Sequence, residues 1–162
     1  MFKAGLARLN SPFPVDEHSG ARGKGTAGPW QRFWRKKIGT DGSMAKKILC
    51  IDDEPGVVEY LEDIFQDHGY ETVRAYDGRQ GLTTAKSEKP DLITLDLDMS
   101  SEWGTRFYRN LRKDPELKAI PVVVISGLSS NKYAVQEAAA VINKPFEPEQ
   151  VLRVVWDILG RN

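Results

Sequence analysis

From Ala45 onward the apolar residues fall into two kinds of run that alternate along the chain. The short runs, at 47–51, 70–76, 91–96, 121–126 and 141–143, are rich in Ile, Val and Leu and predict strands. The stretches between them repeat at helical spacing. Residues 55–67 put Val57, Val58, Leu61, Ile64 and Phe65 on one face, and Gly69 follows as a stop. Residues 79–88 form a weaker helix after the Asp77-Gly78 turn, and residues 104–113 group Phe107, Tyr108 and Leu111 before Asp114-Pro115. A helix is expected at roughly 131–139. The last, 148–159, carries Val151, Leu152, Val154, Val155, Ile158 and Leu159, with Trp156 on the same face. Pro148 stands near its first position and Gly160 past its end. Strands alternating with helices predict a parallel sheet covered on both faces.

The first 45 residues show neither period. Pro12, Pro14, Pro29 and the Gly-rich SGARGKGTAG break them up, and too little apolar surface is available to offset ordering, so a disordered extension is predicted. The formal net charge of zero hides an asymmetry: residues 1–45 hold eight Lys/Arg against three Asp/Glu, residues 46–162 fifteen against twenty. Within the extension, Trp30-Gln31-Arg32-Phe33-Trp34-Arg35-Lys36-Lys37 mixes aromatics with bases, a composition suited to an anionic membrane surface, nucleic acid or a partner groove. A plainer alternative takes Met44 as the start of the protein. One cysteine, Cys50, excludes an internal disulfide or a cysteine-rich metal site. No run approaches the ~18 apolar residues of a membrane span, and no secretory h-region follows Met1, so a cytoplasmic setting is expected.

The chemistry gathers where the strands end. In sheets of this kind ligands collect beyond the carboxyl ends of the strands. The first strand delivers Asp52 and Asp53, the third Asp96 and then Asp98, the fourth Ser126 and Gly127, the fifth Lys144. Adjacent acids are costly: unit charges ~4 Å apart at an effective dielectric of ~20 repel by roughly 4 kcal/mol. A cation in their midst would reverse that sign. Taken singly, such acids can merely end strands, Ser126 can be a turn residue and Lys144 can be solvated. Together, in this order, they point to a site.

Residues 46–160 resemble the receiver domain of two-component response regulators. The matching pieces are Cys50-Ile-Asp-Asp-Glu-Pro55, Pro90-Asp-Leu-Ile-Thr-Leu-Asp96, Gly104, Ile125-Ser126-Gly127 and Asn143-Lys144-Pro145-Phe146. The resemblance implies an α/β, flavodoxin-like, doubly wound five-stranded parallel sheet of order 2-1-3-4-5, with residues 46–162 as the receiver domain. It implies Mg²⁺ held directly by Asp53, Asp96 and the backbone carbonyl of Asp98, with Asp52 acting through a water. Asp96 is then the phosphoacceptor, and Ser126 and Lys144 reach phosphoryl oxygens. The implied partners are a sensor histidine kinase or histidine phosphotransfer protein and a further, unidentified protein target. Nothing follows Asn162, so no DNA-binding output domain is expected on this chain. No turnover enzyme is implied beyond self-catalysed phosphorylation and dephosphorylation.

Three positions depart from the family pattern. Ser100 stands where the loop after the acceptor usually has proline, which should loosen that turn. Val141 replaces the usual aromatic three residues before the lysine. Only fourteen residues, 127–140, separate the fourth and fifth strands, so the fourth helix should be shortened. These departures keep open a receiver fold used as a phosphorylation-independent docking module. A second alternative is a haloacid-dehalogenase-like phosphatase, because Asp96-Leu97-Asp98-Met99-Ser100 resembles that family's nucleophile motif. Trp103, expected in the loop after Asp96, is a candidate partner contact.

Overall fold

The computed structural model describes residues 45–100, 103–127 and 137–160. Five strands, β1 (Lys47–Ile51), β2 (Glu71–Ala75), β3 (Leu92–Leu95), β4 (Val122–Ser126) and β5 (Ala140–Asn143), form one parallel sheet of order β2-β1-β3-β4-β5. Four helices are described: α1 (Pro55–Asp67), α2 (Gly78–Glu88), α3 (Trp103–Lys113) and α4 (Pro148–Leu159). This is the parallel sheet that the alternating runs predict, in the flavodoxin-like order that the resemblance implies. The expected short helix at 131–139 lies largely outside the described residues; 137–139, which are described, are not helical. The expected disordered extension also lies outside them, except for Ala45.

Alternation along the strands sorts the core into two layers. Leu49 and Ile51 of β1, Ile93 and Leu95 of β3 and Val122 and Val124 of β4 face α2 and α3, packing around Phe107 and Leu111. Ile48, Cys50, Leu92, Val123, Ile125 and Ile142 face the other way, against Val58, Leu61 and Phe65 of α1 and Val151, Leu152 and Val155 of α4. Phe65 and Phe107 are wholly buried, one in each layer. Cutting either to alanine should cost about 3–5 kcal/mol. Trp156 is half-buried rather than core, because α4 turns only Val151, Leu152 and Val155 fully inward.

Local chemistry sets the helix starts. Pro55 and Pro148 open α1 and α4, where a missing N–H has no partner to lose. Asp77 caps α2 by accepting from the Gln80 N–H at 2.7 Å, while Gln80 Oε1 accepts from the Tyr76 N–H at 2.9 Å. Trp103 begins α3 instead of lying in the preceding loop.

Candidate functional site

Register brings the acids level. Ile51 of β1 pairs with Leu95 of β3, so the next residues, Asp52 and Asp96, leave the sheet side by side. The Asp96 N–H donates to the Ile51 carbonyl at 2.9 Å, extending the ladder one residue past the strands. On the far side Ser126 pairs with Asn143, and the Lys144 N–H donates to the Ser126 carbonyl at 3.0 Å. The peptide bond between Lys144 and Pro145 is cis.

Carboxylate oxygens of Asp52, Asp53 and Asp96 lie within 4.8 Å of one another. Asp52 and Asp96 are only 2% and 3% exposed, whereas Asp53 faces solvent. The Lys144 ammonium reaches across the sheet end to both buried acids, at 2.8 Å from Asp52 Oδ2 and 3.3 Å from Asp96 Oδ2, with Glu54 Oε1 at 3.9 Å. Asp52 Oδ1 also accepts from the Glu54 N–H at 2.9 Å, and Asp96 Oδ1 from the Asp98 N–H at 3.0 Å.

One ammonium among three carboxylates leaves the cluster anionic. Burial, with the charge of Asp52 beside it, holds the Asp96 carboxyl above the usual carboxylate range, against the opposing pull of the Asp98 N–H and of Lys144. Burial alone would lower the Lys144 ammonium, but its hydrogen bond to Asp52 and the charges of Asp52 and Asp96 raise it. Oxygen-only donors with excess negative charge suit a hard divalent cation such as Mg²⁺.

Gly104 secures the approach of α3 to this loop. A Cβ there would sit 2.5 Å from the Asp96 carbonyl oxygen and 2.6 Å from Leu97 Cα. Only glycine lets the helix start so close to the acid-bearing backbone.

The structure therefore joins Asp52, Asp53, Asp96 and Lys144 in one cluster, with Asp98 and Ser126 beside it. Ser126 is spoken for: its hydroxyl donates to Asp98 Oδ2 at 2.7 Å, and the Gly127 N–H donates to the same oxygen at 2.8 Å. The sequence offers Asp98 as a ligand through its backbone carbonyl and does not show this side-chain contact. Ser100 carries another contact the sequence does not show. Its N–H donates to Asp53 Oδ2 at 3.0 Å, a bond that the proline usual in the family is unable to make.

A family model for the response regulator receiver domain matches residues 48–155. The chain belongs to that family.

Among related proteins, Rrf1 of Nitratidesulfovibrio vulgaris is 30% identical over 112 residues, a match spanning 69% of this chain and 81% of Rrf1. Among solved structures, the chemotaxis response regulator CheY4 of Vibrio cholerae superposes with a TM-score of 0.67 at 28% identity, covering 72% of this chain and all of CheY4. TrrA of Thermotoga maritima, solved in complex with Mg²⁺-BeF, gives a TM-score of 0.65 at 28% identity, covering 70% of this chain and 99% of TrrA. Receiver domains are signalling domains of two-component systems that interact with histidine kinases, not enzymes in the ordinary sense, which displaces the phosphatase alternative. Receivers bind Mg²⁺ at an acidic pocket. Among the described residues of this receiver, no helix is long and apolar enough to cross a membrane.

Proposed function

We propose that this receiver accepts a phosphoryl group on Asp96 in a Mg²⁺-dependent reaction. The donor is a phosphohistidine on a sensor histidine kinase or a histidine phosphotransfer protein. One observation carries the reading: the buried Asp96 carboxylate is tied through the Lys144 ammonium to Asp52, within a trio of acids whose oxygens lie within 4.8 Å. That TrrA was solved with Mg²⁺-BeF supports the same assignment by likeness.

Asp53, Asp96 and the Asp98 carbonyl would hold the ion, with Asp52 in its outer shell. When bound, Mg²⁺ supplies positive charge that screens the approach of an anionic phosphoryl group to anionic acids. An Asp96 oxygen attacks phosphorus, the P–N bond to the donor imidazole breaks, and the imidazole leaves with the electron pair. Lys144 and Ser126 steady the equatorial oxygens as charge spreads over them. Water later attacks phosphorus, the P–O bond to Asp96 breaks with its electron pair returning to the carboxylate, and inorganic phosphate leaves. Before the reaction, Lys144 keeps Asp96 ionised against its burial, which a nucleophile requires.

Output passes to a non-covalent protein target in the cytoplasm. The 56% exposure of Val141 on the edge strand β5 supports such a contact. Incubation of the full chain with acetyl phosphate and Mg²⁺ tests the chemistry by intact mass. A gain of one phosphoryl group, lost in Asp96→Asn, is expected. An unchanged mass would favour the phosphorylation-independent docking module.

A further inference from the structure

The Ser126 hydroxyl, assigned above to an incoming phosphoryl oxygen, is already engaged. Asp98 Oδ2 takes both the Ser126 hydroxyl, at 2.7 Å, and the Gly127 N–H, at 2.8 Å. Two donors converging on one anionic oxygen is the arrangement that a phosphoryl oxygen would itself seek. These donors lie beside Asp96, because the Asp98 N–H is bonded to Asp96 Oδ1 at 3.0 Å. We propose that the Asp98 carboxylate is a resident anion in the phosphoryl subsite, and that an oxyanion enters beside Asp96 only by displacing it from Ser126 and Gly127.

The displacement needs no change in the backbone. Leu97 is buried in the core and Asp98 is exposed, so rotation of the Asp98 side chain carries its charge into solvent while the loop stays anchored. A second anion beside Asp98 would also be repelled by it, so the two exclude each other by charge as well as by shared donors. At Gly127 an added Cβ would come to 3.4 Å from Asp98 Oδ2, so the carboxylate lies close over that backbone. The consequence is a receiver whose resting state competes with its own phosphorylation. The main-chain carbonyl assigned to Mg²⁺ is untouched by changes to this side chain.

The inference rests on the proposed acceptor role of Asp96 and is tested apart from it. Beryllofluoride, a phosphoryl mimic, is titrated with Mg²⁺ into the full-length wild type, Asp98→Asn and Asp98→Ala, followed by ¹⁹F NMR and by the Gly127 amide signal. Asp98→Ala should bind at least about tenfold more tightly than wild type, the scale of one charge-assisted hydrogen bond. Asp98→Asn, which keeps an acceptor oxygen without the charge and is close to isosteric, should fall between them. Equal affinities in wild type and Asp98→Ala would overturn the competition and leave the acceptor reading standing. Equal gains in Asp98→Asn and Asp98→Ala would also overturn it, as an effect of charge alone. Failure of all three to bind, under Mg²⁺ that shifts the Asp53 amide, would defeat both readings.

Discussion

Replacing Lys144 with methionine probes the electrostatics of the site most directly. The stem is kept and the ammonium removed, which strips the counter-charge 2.8 Å from Asp52 and 3.3 Å from Asp96. At an effective dielectric of ~20 these attractions are about 6 and 5 kcal/mol, and they are opposed by several kcal/mol for drying the ammonium and both acids. Breaking a buried ion pair by removing one partner costs about 3–5 kcal/mol. The loss also has a ceiling. One of the stranded acids can take a proton, which at pH 7 costs about 4 kcal/mol for a carboxyl of ordinary pKa. Lys144→Met should therefore lose about 3–4 kcal/mol of stability at pH 7 without Mg²⁺.

The sign of the pH dependence follows. The Asp96 carboxyl is already raised by burial and by Asp52, and loss of Lys144 raises it further. A carboxyl raised in the folded state binds protons more readily there than when unfolded, so the mutant regains stability as pH falls from 7 toward about 4. Saturating Mg²⁺ should likewise stabilise the mutant more than the wild type, since it enters a more negative site. Urea unfolding at pH 7 and pH 5, with and without Mg²⁺, reads all three effects. A mutant as stable as wild type at pH 7 without Mg²⁺ would refute the charge reasoning.

Other positions give independent checks. Gly104→Ala drives a methyl into the Asp96 carbonyl and Leu97, so it should lose about 1–2 kcal/mol in urea unfolding despite the better helix propensity of alanine; an unchanged midpoint would count against the close approach. Ser100→Pro removes the N–H donor that competes for Asp53 Oδ2, so Mg²⁺ should bind about three- to tenfold more tightly in a calorimetric titration; weaker binding would mean that the bond positions the acid instead. Burial pushes the Cys50 thiol and the Tyr70 phenol each up to about 12. Both groups ionise sooner in the unfolded chain, so stability should fall as pH rises from about 9 toward 12, and iodoacetamide at pH 8 should leave native Cys50 unmodified.

The fold was legible because two periods do not blur into each other. Strands buried on both faces read as continuous runs of Ile, Val and Leu, and the predicted edges of β1, α1 and α4 match those observed. Other edges moved by a residue or so where polar ends gave no sharp cue, as at Tyr70 and Tyr76 flanking β2. The clustering of Asp52, Asp96 and Lys144 was legible for a topological reason: strand ends converge at one edge, so acids and a lysine placed there must meet. Side-chain hydrogen bonds between loops carry no such signal. Neither the bond from Ser100 to Asp53 nor that from Ser126 to Asp98 follows from spacing, because each depends on how a turn of irregular backbone aims one N–H or one rotamer.

Those loop bonds bear on how such a site responds. Asp52 is held by the Glu54 N–H and Lys144, Asp53 by the Ser100 N–H, Asp96 by the Asp98 N–H and Lys144, and Asp98 by Ser126 and Gly127. Each acid thus has an internal donor before any ligand arrives. A ligand entering this rim exchanges bonds instead of making them afresh, and the net energy of exchange is the small difference between two sets of comparable strength. A site built that way is reversible by construction. Modest changes in one donor, such as an N–H where the family usually has proline, then shift the balance by amounts comparable to the whole driving force. On this view the departure at Ser100 and the acid at Asp98 act on the same equilibrium: Ser100 retains an acid the metal would take, and Asp98 retains donors the phosphoryl group would take. Both favour the unliganded state, so the double variant Ser100→Pro with Asp98→Ala should bind beryllofluoride and Mg²⁺ more tightly than either single variant. A double variant no tighter than Asp98→Ala alone would show that Ser100 does not oppose the same step.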